Sequence, residues 1–132
     1  MLKLSKMTDY AVVLLEPLSR TDTPQSAPQL ARMTHLPEPT VSKILKILTR
    51  ADILNASRGA QGGYLLNKSA DALTIREIIE ALEGPIALTA CADSQKICDL
   101  SASCALNGRW AKVNAAMVSA LDSVTLQQMA GR

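Results

Sequence analysis

Between Ser26 and Arg50 the chain spells out two short helices around one tight turn. Ser26 and Gln29 form an S-x-x-Q capping box, and Pro28 sits in the first turn. The helix QLARM ends at Thr34-His35-Leu36, and the PEP stretch 37–39 restarts the chain with Pro39 opening a third helix. In PTVSKILKILTRA, Val41, Ile44, Leu45 and Leu48 share one face, while Thr40, Ser42, Lys43, Lys46 and Arg50 point the other way. Small polar and basic residues on the open face of the second helix of a close pair are the grammar of a helix-turn-helix. An ordinary helical hairpin shares part of that grammar.

The segment that follows narrows the choice. DILNASRGAQGGYLLN predicts a β-hairpin, with Ile53–Ser57 and Gly63–Leu66 as strands and RGAQGG as the tip. Three glycines in five residues let the tip take positive φ and approach a partner closely. Arg58 stands at its base. A helix-turn-helix continued by a basic, glycine-rich hairpin is a winged helix, whose second helix enters the major groove and whose wing reaches phosphates or the minor groove.

The flanks read as helical too. Thr8 can cap a first helix from Asp9 to about Arg20, with Tyr10, Val13, Leu14, Pro17 and Leu18 at helical spacing and Pro17 expected to kink or shorten it. Thr21–Gln25 reads as a loop. Thr74 and Glu77 form another capping box, Ile75, Ile78, Ile79 and Leu82 are the buried face, and Gly84-Pro85 stops the helix. From about Ala105 to Val124, Trp110, Val113, Met117, Ala120 and Val124 make a narrow stripe suited to pairing with a second chain, or to packing back on its own domain. The expected fold is therefore mostly α. A winged helix-turn-helix domain (1–84) leads into a cysteine loop (85–104), then a long C-terminal dimerisation helix with its tail (105–132).

Charge and composition agree. Residues 1–70 hold nine Lys/Arg against five Asp/Glu, and residues 71–132 hold five against seven, which places a nucleic-acid surface in the first half. Phenylalanine is absent, so the core must be aliphatic. The apolar run YAVVLL is interrupted by Glu16 and Pro17, too short for a membrane span and without a cleavage-site pattern, so a cytoplasmic protein is expected. No nucleophile–base pair, phosphate-binding P-loop or paired carboxylates stand out, so no enzyme is expected. In a reducing compartment, clustered thiols point to metal, cluster or redox chemistry rather than structural disulfides. The three cysteines are Cys91, Cys98 and Cys104, spaced C-x6-C-x5-C. That spacing fits a loop and not one helical face. An iron–sulfur cluster, a zinc ion with a fourth ligand, and a thiol–disulfide switch all remain open.

The order LSKMTDYAVVLL, QLARMTHLPEPTVSKILKILTRADIL, SRGAQGGYLL, TIREIIEALEG and the cysteine triplet resembles the IscR/NsrR-type regulators over essentially the whole chain. These are bacterial dimeric winged-helix transcription factors that carry an iron–sulfur cluster. The opening and the cysteine spacing look closest to the proteobacterial regulators of the SUF cluster-assembly operon. The resemblance implies a homodimeric repressor of cluster-assembly genes that binds a double-stranded DNA operator and holds a 2Fe-2S or 4Fe-4S cluster on Cys91, Cys98 and Cys104. IscR-like members place a histidine three residues after the last cysteine, where this chain has Asn107. NsrR-like members use an N-terminal aspartate from the other subunit, and Asp9 matches that position. An Asp in a first helical turn also suits the positive helix end by itself. For DNA the resemblance and the pattern select Thr40, Ser42, Lys43 and Lys46 on the recognition helix and Arg58 on the wing. The rivals are a zinc- or thiol-switched regulator on the same scaffold, and a winged-helix module that binds protein.

Overall fold

The computed structural model describes residues 3–93, 97, 99–100 and 102–131. Its elements are α1 (Lys6–Leu18), α2 (Ala27–Thr34), α3 (Glu38–Arg50), β1 (Leu54–Ser57), β2 (Gly63–Leu66), α4 (Ile75–Glu83), α5 (Trp110–Asp122) and α6 (Leu126–Met129), with a 3-10 turn at Ala90–Ala92. The expected mostly helical, winged-helix architecture is the one observed.

Helix α1 starts earlier than the sequence suggested. Ser5, not Thr8, is the N-cap, and its hydroxyl accepts the Thr8 N–H. That leaves the Thr8 side chain free to turn inward, where it is fully buried. The inner face is Ala11, Leu14, Leu15 and Leu18, and Val13 is exposed, so the apolar stripe lies one step round from the expected one. Pro17 falls in the last turn, and the helix stops one residue later.

Both halves of the Ser26–Gln29 capping box form. His35 closes α2 in the left-handed conformation (φ 59°), which turns the chain sharply into α3. Val41, Ile44, Leu45 and Leu48 are all fully buried, as their spacing predicted. They meet α1, Leu30 and Ile78 in a single aliphatic core.

The hairpin pairs β1 and β2 antiparallel, from Leu54 opposite Leu66 to Ser57 opposite Gly63. A third segment joins it. Gln25 exchanges two backbone hydrogen bonds with Tyr64, at 3.1 and 2.8 Å, so the end of the expected 21–25 loop is an edge bridge of the wing. This explains Gly63: a Cβ there would lie 2.6 Å from the Gln25 carbonyl. A Cβ on Gly62 would meet the Ser57 carbonyl oxygen at 2.3 Å. Two of the tip glycines thus admit the chain's own backbone, whereas Gly59 (φ 105°) faces open space.

Helix α4 carries the expected Thr74–Glu77 capping box and ends at Gly84 (φ 83°). Burial pushes the Glu77 carboxyl up, but hydrogen bonds from Lys68 and from Thr74 outweigh it and hold the group below the usual range. Helix α5 is shorter than the expected 105–124 span. The chain turns at Gly108 (φ 78°) before it can start, and it ends at Asp122, with Ser123 as its C-cap. Thr125 and Gln128 then form a third capping box, and Leu126 is fully buried against the winged domain, its N–H on the Leu73 carbonyl at 2.8 Å. No helix of the described residues is long and apolar enough to cross a membrane.

Candidate nucleic-acid interface and thiol site

Helix α3 buries four aliphatic side chains, so its opposite face is left to solvent. Lys43 and Lys46 are exposed there, and Thr40 and Ser42 are half-buried. Ser42, Lys43 and Lys46 line one surface depression with Pro39, Ile47 and Arg50. Its chemistry is hydroxyl and cationic, which suits phosphate oxygens and base edges. Arg58 is exposed directly after β1, at the base of the wing tip.

The cysteine segment is the connection of a helical hairpin. At the far end of that hairpin, the Asp122 carboxylate accepts from the Thr74 hydroxyl at 3.1 Å and lies 3.8 Å from the Arg76 guanidinium, joining the end of α5 to the start of α4. Arg76 also pairs with Glu80 at 3.1 Å. Nearer the loop, the Thr8 hydroxyl donates to Glu83 Oε2 at 2.6 Å, tying the first turn of α1 to the last residue of α4.

Two of the three cysteines are described. Cys91, in the 3-10 turn, is half-buried, and Cys104 is exposed. Both are free thiols. The Thr89 hydroxyl lies 3.0 Å from Cys91 Sγ. Hydrogen bonds from that hydroxyl and from the Gly108 N–H hold the Cys91 thiol below its ordinary range, against the opposing effect of burial. Past Cys104, the Asn107 N–H bonds the Cys104 carbonyl at 3.2 Å. Sulfur ligands stabilised as thiolates by O–H and N–H donors are the chemistry an iron–sulfur cluster takes. Among the described residues, Cys91 has that donor chemistry, and Cys104 lies exposed on the same loop. Cys98 lies outside the described residues, as does Lys96, which by sequence could help stabilise thiolate charge.

Asp9 is exposed in the first turn of α1. Among the described residues of one chain, no three His, Cys, Asp or Glu side chains come together as a metal-binding group, so Asp9 does not join Cys91 and Cys104 within the chain. His35 is an exposed turn residue.

Sequence reasoning missed three residues at this site: Thr89, Gly108 and Asn114. Asn114 is buried inside α5, where its amide nitrogen donates to the Ile86 carbonyl at 2.9 Å and its oxygen accepts from the Leu88 N–H at 2.8 Å. The available signal was a residue of low helix propensity in the middle of the alanine-rich WAKVNAAMV.

Comparison with known proteins adds the family. The Rrf2 family model, that of an iron-dependent transcriptional regulator, matches residues 4–132. Protein aau3 of Rhizobium meliloti (strain 1021) is 32% identical over 136 residues, covering 97% of this chain and 84% of that protein. The HTH-type transcriptional regulator CymR of Bacillus subtilis (strain 168) is 28% identical over 131 residues, covering 98% of this chain and 90% of that one. Among solved structures, that of CymR (YrzC), the global cysteine regulator of B. subtilis, has a TM-score of 0.78 at 28% identity, covering 99% of this chain and 98% of that chain. T. potens IscR has a TM-score of 0.69 at 28% identity, covering 97% of this chain and 85% of that chain.

Proposed function

The chain belongs to the Rrf2 family of DNA-binding transcriptional regulators, and from that premise we propose that it is a homodimeric repressor whose grip on its operator depends on an iron–sulfur cluster. The observation that carries this reading is the setting of Cys91: a thiol held toward thiolate by Thr89 and Gly108, on the loop that also bears Cys104. Cys91, Cys98 and Cys104 would hold the cluster, with the partner subunit's Asp9 as the fourth ligand. When bound, the cluster supplies a redox-sensitive tie between the two chains. The likeness to SUF-operon regulators makes cluster-assembly genes the proposed targets.

The chain's own residues supply the coupling. Asp9 is adjacent to Thr8, and Thr8 is bonded to Glu83 at the end of α4. Helix α1 packs on α3 through the common core. A change in how the cysteine loop of one subunit meets α1 of the other would thus reach both recognition helices. Half-sites lie one helical turn apart or a multiple of it, so a small rotation of the two reading heads mismatches the operator. Thr40, Ser42, Lys43 and Lys46 would read the major groove, and Arg58 would hold the wing on the backbone.

The Cys91 setting also favours a second reading, a thiol switch on the same scaffold, because a stabilised thiolate reacts readily with oxidants. One experiment separates the two. Duplexes selected from a random pool by anaerobically loaded protein are titrated with loaded, cluster-free and oxidised cluster-free protein. The cluster reading expects tight binding by the loaded form and loss of about tenfold or more in both cluster-free forms. Equal binding by loaded and reduced cluster-free protein, with loss on thiol oxidation alone, favours the switch.

A further inference from the structure

Asn114 is one of only two buried polar residues among those described, and both ends of its amide are used on backbone. Its partners are not in its own helix. They are Ile86 and Leu88, on the stretch that leaves α4 at Gly84 and reaches Cys91 three residues after Leu88. The amide takes one carbonyl and one N–H of that stretch, as a neighbouring strand would. Beyond it, Cys91 sits in the 3-10 turn Ala90–Ala92, which the Ala92 N–H closes on the Thr89 carbonyl at 3.1 Å. Cys91 therefore follows within three residues of an attachment to the α5 side of the hairpin. The α4 side is interrupted at Gly84, whose φ of 83° lets the chain change direction.

We infer that Asn114 is the positioning residue for Cys91: by clamping 86–88 onto α5 it makes the first cysteine of the loop travel with that helix rather than with the winged domain. The consequence for cofactor binding rests on the function proposed above. The positioning itself is independent of it and is read in cluster-free protein. Loss of the amide leaves a part-buried N–H and a part-buried carbonyl without their partner, which the neighbouring turn relieves by moving into water.

Amide hydrogen exchange tests this on the full-length cluster-free protein. In Asn114→Ala the Leu88 amide and the Ala92 amide, which closes the turn bearing Cys91, should both exchange about tenfold faster or more, while the amides of α3 keep their protection. Asn114→Asp has the same size and keeps the acceptor for Leu88, but sets an oxygen against the Ile86 carbonyl. It should release Ala92 as well, and it decides the matter should the alanine variant unfold. Asp122→Asn, which loosens the other end of α5, should leave both amides protected. Release of Leu88 with Ala92 still protected would overturn the positioning role, as would equal release by Asp122→Asn. With cluster loaded anaerobically, bleaching in air should be about tenfold faster in the Asn114 variants and within about twofold of the parent in Asp122→Asn. A parent chain that takes up no iron would count against the proposed function and leave the exchange result to judge Asn114. Unaltered bleaching in Asn114 variants that do bind iron would contradict the claim that the clamp places a ligand.

Discussion

Thr8 and Glu83 stand 75 residues apart in sequence and share one hydrogen bond of 2.6 Å, hydroxyl to carboxylate, at the junction of α1, α4 and the cysteine loop. The hydroxyl is fully buried and the carboxylate is exposed. Glu83 also ends a helix, where negative charge is disfavoured by the helix dipole. The bond offsets that penalty and fixes where the loop begins. Thr8→Val should cost about 1 kcal/mol, lowering the melting temperature by roughly 3–5 °C. Because Ser5 still caps the helix through the Thr8 N–H, the helical circular dichroism should not change. A melting temperature within error of the parent would remove this bond from the account.

The wing glycines should differ sharply. Gly63→Ala places a Cβ 2.6 Å from the Gln25 carbonyl at a φ of 151°. It should cost about 2 kcal/mol or more and break the Gln25–Tyr64 bridge. Gly59→Ala meets no atom within 4 Å and should cost about 1 kcal/mol, from its positive φ alone. Chemical denaturation of both variants checks the order, and equal losses would refute the assignment of Gly63 to close approach.

Lys43→Ala and Arg58→Ala should each lower the slope of log affinity against log salt by about one, while leaving the melting temperature near that of the parent. Their exposed positions on α3 and the wing make the loss electrostatic rather than structural. An unchanged slope for either variant removes that residue from the DNA contact set.

The Glu77 carboxyl titrates below its usual range in the folded chain. A lowered folded value means that the stabilisation is complete above the ordinary carboxylate range. It is lost as pH falls through the folded value. Glu77→Gln should therefore lower the melting temperature at pH 7, and the gap from the parent should close toward pH 3. Lys68 and Glu77 are partly exposed, so the effect is modest and shrinks with added salt. A gap that persists unchanged at low pH would assign the loss to packing.

Most of the fold is legible locally. The boxes at Ser26 and Thr74 and the 3-4 spacing of Val41, Ile44, Leu45 and Leu48 act within one or two turns, so the residues carry the signal themselves. The wing likewise follows from RGAQGG. Thr8 misled because a hydroxyl three residues into a helix looks like a cap, and only the distant Glu83 gives it other work. The Gln25–Tyr64 bridge joins residues 39 apart, through a segment whose Pro24 reads as loop. The Thr125–Gln128 box did carry a local signal, T-L-Q-Q, hidden by the apolar stripe running toward Val124. At the thiol site, the sequence names the cysteines. It does not name Thr89, Gly108 or Asn114, because their roles depend on where a loop returns.

The central claim is that the cysteine loop holds an iron–sulfur cluster. It is tested most directly by anaerobic purification, or reconstitution with iron and sulfide, followed by an absorption spectrum and iron and acid-labile sulfide counts per chain. The expected result is a coloured protein with iron and sulfide in matching amounts, both lost in Cys91→Ala and Cys104→Ala and weakened in Asp9→Ala. A colourless chain that binds neither iron nor sulfide after reconstitution, or one that binds zinc without sulfide, would contradict it.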